Sequence, residues 1–261
     1  MYRVIRLIDR LTDYMLVLFF LLIFLIGGYT MVDTMLIYDA ARGEDLRSFR
    51  PMRTQEDGEE VPAWDMTALS EDVVAWLTVD GTNIDYPVMQ GEDNNEYLNK
   101  DPFGAFSLSG SIFLDARNAK DFSDPYSLIY GHHMEYGHMF GGLDAFLDER
   151  YFDEHRTGTL TVADRVYAIR FFACVEADAT EEAIFAPTET DATLDFVLEN
   201  AVILREPEGE GALIALSTCK YPQTMDRIIV FGVLCDEQKL VQSVDPAAGS
   251  DDPDDVPAGD G

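Results

Sequence analysis

One uncharged run, YMLVLFFLLIFLIGGYTMV from Tyr14 to Val32, constrains this chain more than any other feature. At about 1.5 Å per residue, a helix over its nineteen residues is about 28 Å long, close to the roughly 30 Å hydrocarbon core of a bilayer. Arg3, Arg6 and Arg10 precede the run, whereas Asp33, Asp39, Glu44 and Asp45 follow it. Positively charged flanks stay in the cytoplasm. Residues 1–13 are therefore expected inside the cell, 14–32 as a single-pass anchor, and the C-terminal bulk outside. A cleaved signal peptide is the rival reading; its apolar region usually spans roughly 7–15 residues and ends in small ones. Here Gly27-Gly28 leads into Tyr29 and Met31 with no A-x-A pattern, which favours the uncleaved anchor.

Residues 33–66 are polar, contain Pro51, Pro62 and the run QEDGEE, and are expected to form a stalk or an irregular lead-in. The segment ALSEDVVAWL (68–77) reads as a short helix capped by Ser70, with Glu71 and Asp72 complementing its N-terminal dipole. From there to Cys235, β-branched or aromatic runs bounded by turn residues predict strands. They are IDYPVMQ (84–90), SIFLDAR (111–117), SLIYG (127–131), TLTVAD (159–164), VYAIRFFACVEA (166–177), ALIALSTC (212–219) and RIIVFGVLC (227–235). Helical spacing occurs in MFGGLDAFLDERYF (139–152) and LDFVLENAVIL (194–204). Residues 67–236 thus read as one mainly β domain, a barrel or sandwich with added helices. Residues 237–261 read as a disordered acidic tail, because the last seventeen carry six Asp and no Lys or Arg.

The formal net charge is −31, from 49 Asp and Glu against 18 Lys and Arg. Such a balance excludes a nucleic-acid partner, which needs clustered cations for phosphate, and disfavours an anionic lipid surface for the soluble part. Most of the excess acidity reads as a solvated surface, favouring solubility and able to steer cationic segments.

Three cysteines cannot make a disulfide framework. Cys174 and Cys235 lie within or at the end of apolar strands and read as small buried hydrophobes. Cys219 is placed differently, at a strand end that opens into the polar stretch KYPQTMD, with Lys220 adjacent and Arg227 returning on the next strand. Nearby positive charge favours the nucleophilic thiolate. Three of the four histidines, His132, His133 and His138, fall in GHHMEYGH just after a strand. A histidine at a strand end can exchange protons with a thiol brought near by the fold. A plain surface loop is the bland alternative. Zinc is disfavoured, since the spacing lacks a helical i, i+4 pair and no second ligand cluster exists.

LSTC at 216–219, Arg227 on the following strand, YGHHM at 130–134 with MFGGL at 139–143, the segment VVAWLTVDGTNIDYPVMQGEDNNEYL (73–98) and SGSIFLDARN (109–118) together resemble a class B sortase. Sortases are membrane-anchored cysteine transpeptidases of Gram-positive cell surfaces. The resemblance covers roughly residues 69–235 and implies a mainly β fold, a closed sortase-like barrel with added helices. It implies Cys219 as the nucleophile toward a Thr carbonyl in a C-terminal sorting signal, and His132 as the acid that protonates the leaving amine. It implies Arg227 as the group holding the substrate backbone or oxyanion. Ser217, Asn94 and Leu98 match substrate-pocket positions. The implied partners are surface proteins with sorting signals and a peptidoglycan-precursor or pilin amine; no metal or organic cofactor is implied. His133 and His138 match no catalytic role. Lys220 stands where class B members often carry an acidic residue. An anchored β-module that binds peptides without chemistry, and a thiol hydrolase releasing product to water, are the alternatives.

Overall fold

A computed structural model describes residues 2–43, 45–56, 59–63, 69–163, 165–187, 190–220 and 224–236; the expected tail at 237–261 lies outside them. Helix α1 runs from Tyr2 to Ala41, past both ends of the apolar run. Residues 33–41 contain neither Gly nor Pro, so nothing stops the helix until Gly43, which takes a positive φ of 64°. The expected irregular stalk is therefore helical over its first nine residues. A 3-10 turn at Asp45–Phe49 follows, then an antiparallel pair, β1 (Met52–Glu56) and β2 (Glu59–Ala63). In sequence Asp57-Gly58, a dipeptide suited to tight hairpins, separates them.

The segment expected as a Ser70-capped helix is a correction. Ser70 opens a turn, its carbonyl accepting Val73 N–H at 3.2 Å, and Val73–Val79 is strand β3. The β-branched run Val73, Val74, Thr78, Val79 fits a pleated surface, and pairing on both sides, with β4 (Asp85–Met89) and β7 (Thr157–Val162), outweighs the local helix signal. A second correction concerns 194–204. Helix α4 spans Thr190–Asn200, but the last four residues turn into strand β9 (Ala201–Leu204). The expected helical stretch at 139–152 holds as a 3-10 segment, Gly141–Leu147, followed by α2 (Glu149–Glu154).

The remaining strands are β5 (Ile112–Leu114), β6 (Tyr126–Tyr130), β8 (Arg165–Asp178), β10 (Ala212–Cys219) and β11 (Asp226–Asp236). Hydrogen bonding orders them β11-β10-β6-β5-β4-β3-β7-β8, and pairing of β8 with β11 closes the ring into an eight-strand barrel, with β9 added beside β8. Closure leaves no free edge within the ring. Inward residues such as Leu77, Ile129, Phe171 and Ile214 pack with Phe146 and Phe152. The outward face of β6, β8, β10 and β11 carries Tyr126, Leu128, Val175, Ala215 and Phe231. It is covered by Ile184 of α3 (Glu182–Phe185) and Val197 of α4. Helices thus roof one outer sector of the barrel, and the sequence-predicted site residues lie at its margin.

Candidate active site

Register brings the distant motifs together. In the β10–β11 pair Cys219 stands directly opposite Arg227, and in the parallel β10–β6 pair Ser217 stands opposite Tyr130. Beyond that pair Gly131 N–H donates to the Ser217 carbonyl at 3.1 Å, and Thr218 Oγ1 donates to the Gly131 carbonyl at 2.9 Å. His132 follows Gly131, and Cys219 follows Thr218. Two neighbouring strands therefore end together, one in the histidine and one in the thiol. Because strand side chains alternate, Ser217 and Cys219 share the outer face of β10 with Ala215, and Arg227 shares the outer face of β11 with Ile229.

Gly131 is needed where it sits. A Cβ there would stand 2.7 Å from the Phe140 ring, which packs under the turn and anchors the loop from His132 to Gly141. The His132 Nε2 lies 2.8 Å from the Leu98 carbonyl oxygen. A carbonyl only accepts, so Nε2 carries the proton and donates, leaving Nδ1 as the basic atom of the neutral ring. Leu98 thus reaches the site through its backbone.

The cysteines separate cleanly. Cys174 and Cys235 are buried, whereas Cys219 is half-buried. Burial pushes the Cys174 thiol up to about 12, with Glu176 and Asp144 adding to it. Burial raises Cys235 as well. Of the two cations expected beside Cys219, Lys220 is held by Glu176, its Nζ 2.6 Å from Oε1. The guanidinium of Arg227 donates to its neighbour's carbonyl at Asp226 (3.3 Å) and forms no ion pair among the described residues.

Ser217 is fully buried and its hydroxyl has no hydrogen-bond partner among the described residues. An orphaned hydroxyl of this kind costs about 1–3 kcal/mol, which an incoming polar group would relieve. Asn94 is braced: its Nδ2 donates to Asp115 Oδ2 at 2.9 Å and its Oδ1 accepts Ala116 N–H at 2.7 Å. One amide hydrogen remains for another partner. His133 Nε2 pairs with Asp144 Oδ2 at 2.7 Å, while His138 lines a cavity beside α1. Among the described residues no three His, Cys, Asp or Glu side chains gather as metal ligands.

A buried acidic hub beneath the site was missed from the sequence. Asp115, at the end of β5, has no exposed side-chain surface. It accepts from Arg117 Nε (2.8 Å) and Nη2 (2.7 Å), from Asn94, and from the Tyr130 hydroxyl (3.0 Å). Burial works to raise its pKa, but the Arg117 guanidinium and the other donors outweigh this and hold the carboxyl below its usual range. Burial, and then Asp115, push the Tyr130 phenol up. Arg117 also donates to the Phe185 carbonyl at 2.6 Å, and the Tyr130 and Phe185 rings stack at 6.5 Å and 12°. The hub ties the β5 end, the Asn94 turn, β6 and α3 into one support. The only sequence trace of it is the strand-terminal Asp-x-Arg in SIFLDAR.

Comparison with known proteins bears on the family and the fold. A sortase-domain family model matches residues 77–235, about three-fifths of the chain. Sortase B of Listeria monocytogenes is 33% identical over 180 residues, covering 65% of this chain and 72% of the relative. Sortase B of Staphylococcus aureus is 28% identical over 220 residues, covering 80% and 90%. Among solved structures, a Streptococcus pyogenes class B sortase involved in pilus biogenesis superposes with a TM-score of 0.60 at 42% identity, covering 65% of this chain and 96% of that one. A Staphylococcus aureus sortase B–substrate complex gives 0.59 at 27% identity, covering 65% and 82%.

Proposed function

The chain belongs to the sortase family, and from that premise we propose that Cys219, His132 and Arg227 carry out peptidyl transfer from a C-terminal sorting signal to an amine. A sortase is a cysteine transpeptidase, so the reaction class follows from membership; the roles below are our own assignment. The Cys219 proton passes to His132 Nδ1 and the thiolate attacks the carbonyl carbon of the signal's Thr. Charge develops on the carbonyl oxygen, where a fixed guanidinium such as Arg227 stabilises it. The C–N bond breaks, the leaving amine takes the proton from His132, and a thioester on Cys219 remains. An amine of a cell-wall precursor or a pilin then attacks that thioester, giving a proton to His132 Nδ1; the C–S bond breaks, and the departing sulfur takes that proton back. Ser217, whose hydroxyl has no partner among the described residues, and Asn94, with one amide hydrogen not given to Asp115, would receive polar groups of the substrate; Leu98 lends an apolar wall and holds His132.

The observation that carries this reading is the register that sets Cys219 opposite Arg227 and one strand from His132. Residues 14–32 are the membrane anchor of the proposal, with 1–13 in the cytoplasm and the catalytic domain, 67–236, on the outer face. Support comes from α1, which is long and apolar enough to cross a bilayer. The test is a panel of sorting-signal peptides followed by intact-mass analysis. The expected result is one acyl adduct mapping to Cys219, discharged faster when an amine is added. An adduct on another residue, or discharge indifferent to amine, would overturn the transferase assignment.

A further inference from the structure

Helix α1 continues nine residues beyond Val32, about 14 Å at about 1.5 Å per residue, before it ends at Ala41. That end is fixed to the barrel. The Tyr86 hydroxyl donates to the Ala41 carbonyl at 2.9 Å and accepts Met139 N–H at 3.3 Å, and Ala41 and Leu46 are buried. Any loop packed beside residues 30–39 therefore lies where hydrocarbon gives way to headgroups, if 14–32 span the bilayer. Two loops do so. Leu36 and Asp39 share a cavity of about 330 Å³ with Asp101, Pro102 and Phe103. Thr30, Met31, Thr34 and Met35 line a second cavity with Tyr136 and His138, and Tyr38 donates to Glu135 at 3.0 Å.

These loops carry unusual exposure. Outside α1, the exposed large apolar side chains of the described residues are Phe103, Phe106, Leu108, Tyr136, Leu198, Val202, Leu204 and Met225, so half of them sit on these two loops. Phe106 and Tyr136 are each 77% exposed. Exposed apolar side chains on loops beside one helix mark an interaction surface, and aromatic side chains favour the bilayer interface.

We propose that Phe103, Phe106, Leu108 and Tyr136 insert into the bilayer interface around the anchor and seat the catalytic domain on the membrane, with the loop leading from His132 at headgroup level. The inference rests on the anchor proposed above. The partner is a zwitterionic lipid surface: with a formal charge of −31 the protein gains nothing from anionic headgroups, so burial of apolar groups provides the contact and salt leaves it unchanged.

The test uses the full chain in phosphatidylcholine vesicles whose acyl chains are brominated near the headgroup. Phe106→Trp and, as a reference, Val202→Trp on β9, which lines neither cavity, are compared after subtracting the emission of the unsubstituted chain. Bromolipid is expected roughly to halve the added emission of F106W, at low and at high salt, and to leave that of V202W unchanged. Co-flotation of the chain with vesicles but equal quenching of both variants would overturn the seat while leaving the anchor intact, and quenching seen only with anionic lipid would do the same. A chain that fails to co-float with vesicles overturns anchor and seat together. None of these readouts depends on transpeptidation, so failure of the seat is distinguishable from failure of the catalytic assignment.

Discussion

Cys174 and Cys219 are the same residue in two settings of one barrel. Cys174 faces inward from the middle of β8, opposite Val230 and among Phe171, Ile203 and Leu216, where burial holds its thiol protonated. Cys219 closes β10, with Arg227 across the ladder and the His132 strand alongside. The mid-barrel is apolar and held by packing. The strand ends are held by polar bonds: Thr218 to Gly131, His132 to Leu98, and the buried Asp115 to Arg117, Asn94 and Tyr130. Position along a strand therefore separates the two thiols, and the polar bonds at the strand ends hold together the segments that carry Cys219 and His132.

The sharpest break of that comparison is chemical. Cys219→Ala is expected to lower kcat/KM by about 10⁴-fold or more, to the level left by binding alone, while Cys174→Ala keeps nearly full activity. Iodoacetamide labelling of the folded chain, read by peptide mass mapping, should reach Cys219 first. Equal labelling of all three thiols would erase the distinction between the two settings. Next comes His132→Ala, expected to cost about 10²- to 10⁴-fold in kcat, against a small effect for His133→Ala. His133 is committed to Asp144 rather than to the strand ends. The reverse order of effects would shift the assigned register by one residue.

What the sequence disclosed, and what it hid, follows the same division. Alternating β-branched runs gave away β4, β6, β8, β10 and β11 because their neighbours are also strands, so local preference and tertiary pairing agree. Val73–Val79 misled, because Ser70, Glu71 and Asp72 make a helix-start pattern that only pairing with β4 and β7 overrules. In LDFVLENAVIL the helical spacing holds as far as Asn200, and pairing with β8 then draws Ala201–Leu204 into a strand. An ordered set of motifs singled out the thiol, the histidine and the arginine as candidates, and the strand register sets their segments side by side. Asp115 was not, since its importance lies in burial against groups 15 and 21 residues away in sequence, Tyr130 and Asn94. The clasp from Tyr86 to Ala41 and Met139 was equally hidden, because one hydroxyl joins three segments with no shared pattern.

Asp115→Asn tests the polar frame itself. The variant keeps the shape but leaves Arg117 and its neighbours without an anion, at a cost of about 2–3 kcal/mol near neutral pH, toward the low side for a buried pair because Arg117 is half exposed. The native carboxyl titrates below its usual range, so its contribution is complete above that range and fades as pH falls through it. The gap in urea midpoint between the native chain and D115N should hold above about pH 5 and narrow below about pH 4. A gap that stays constant with pH would mean that Asp115 contributes by shape, as Cys174 does, and not by charge.

The smallest expected effect belongs to the apolar half. Cys174→Ala removes one sulfur from a packed interior and should destabilise the barrel by about 1 kcal/mol, visible as a lower urea midpoint with an unchanged slope. Unlike D115N, it should show no dependence on pH between about 4 and 8, because a thiol raised to about 12 stays neutral throughout. Its kcat/KM should match the native chain wherever both are folded. A pH-dependent loss, or a loss of activity without a loss of stability, would place Cys174 within the polar frame and remove the boundary between the two halves of the barrel.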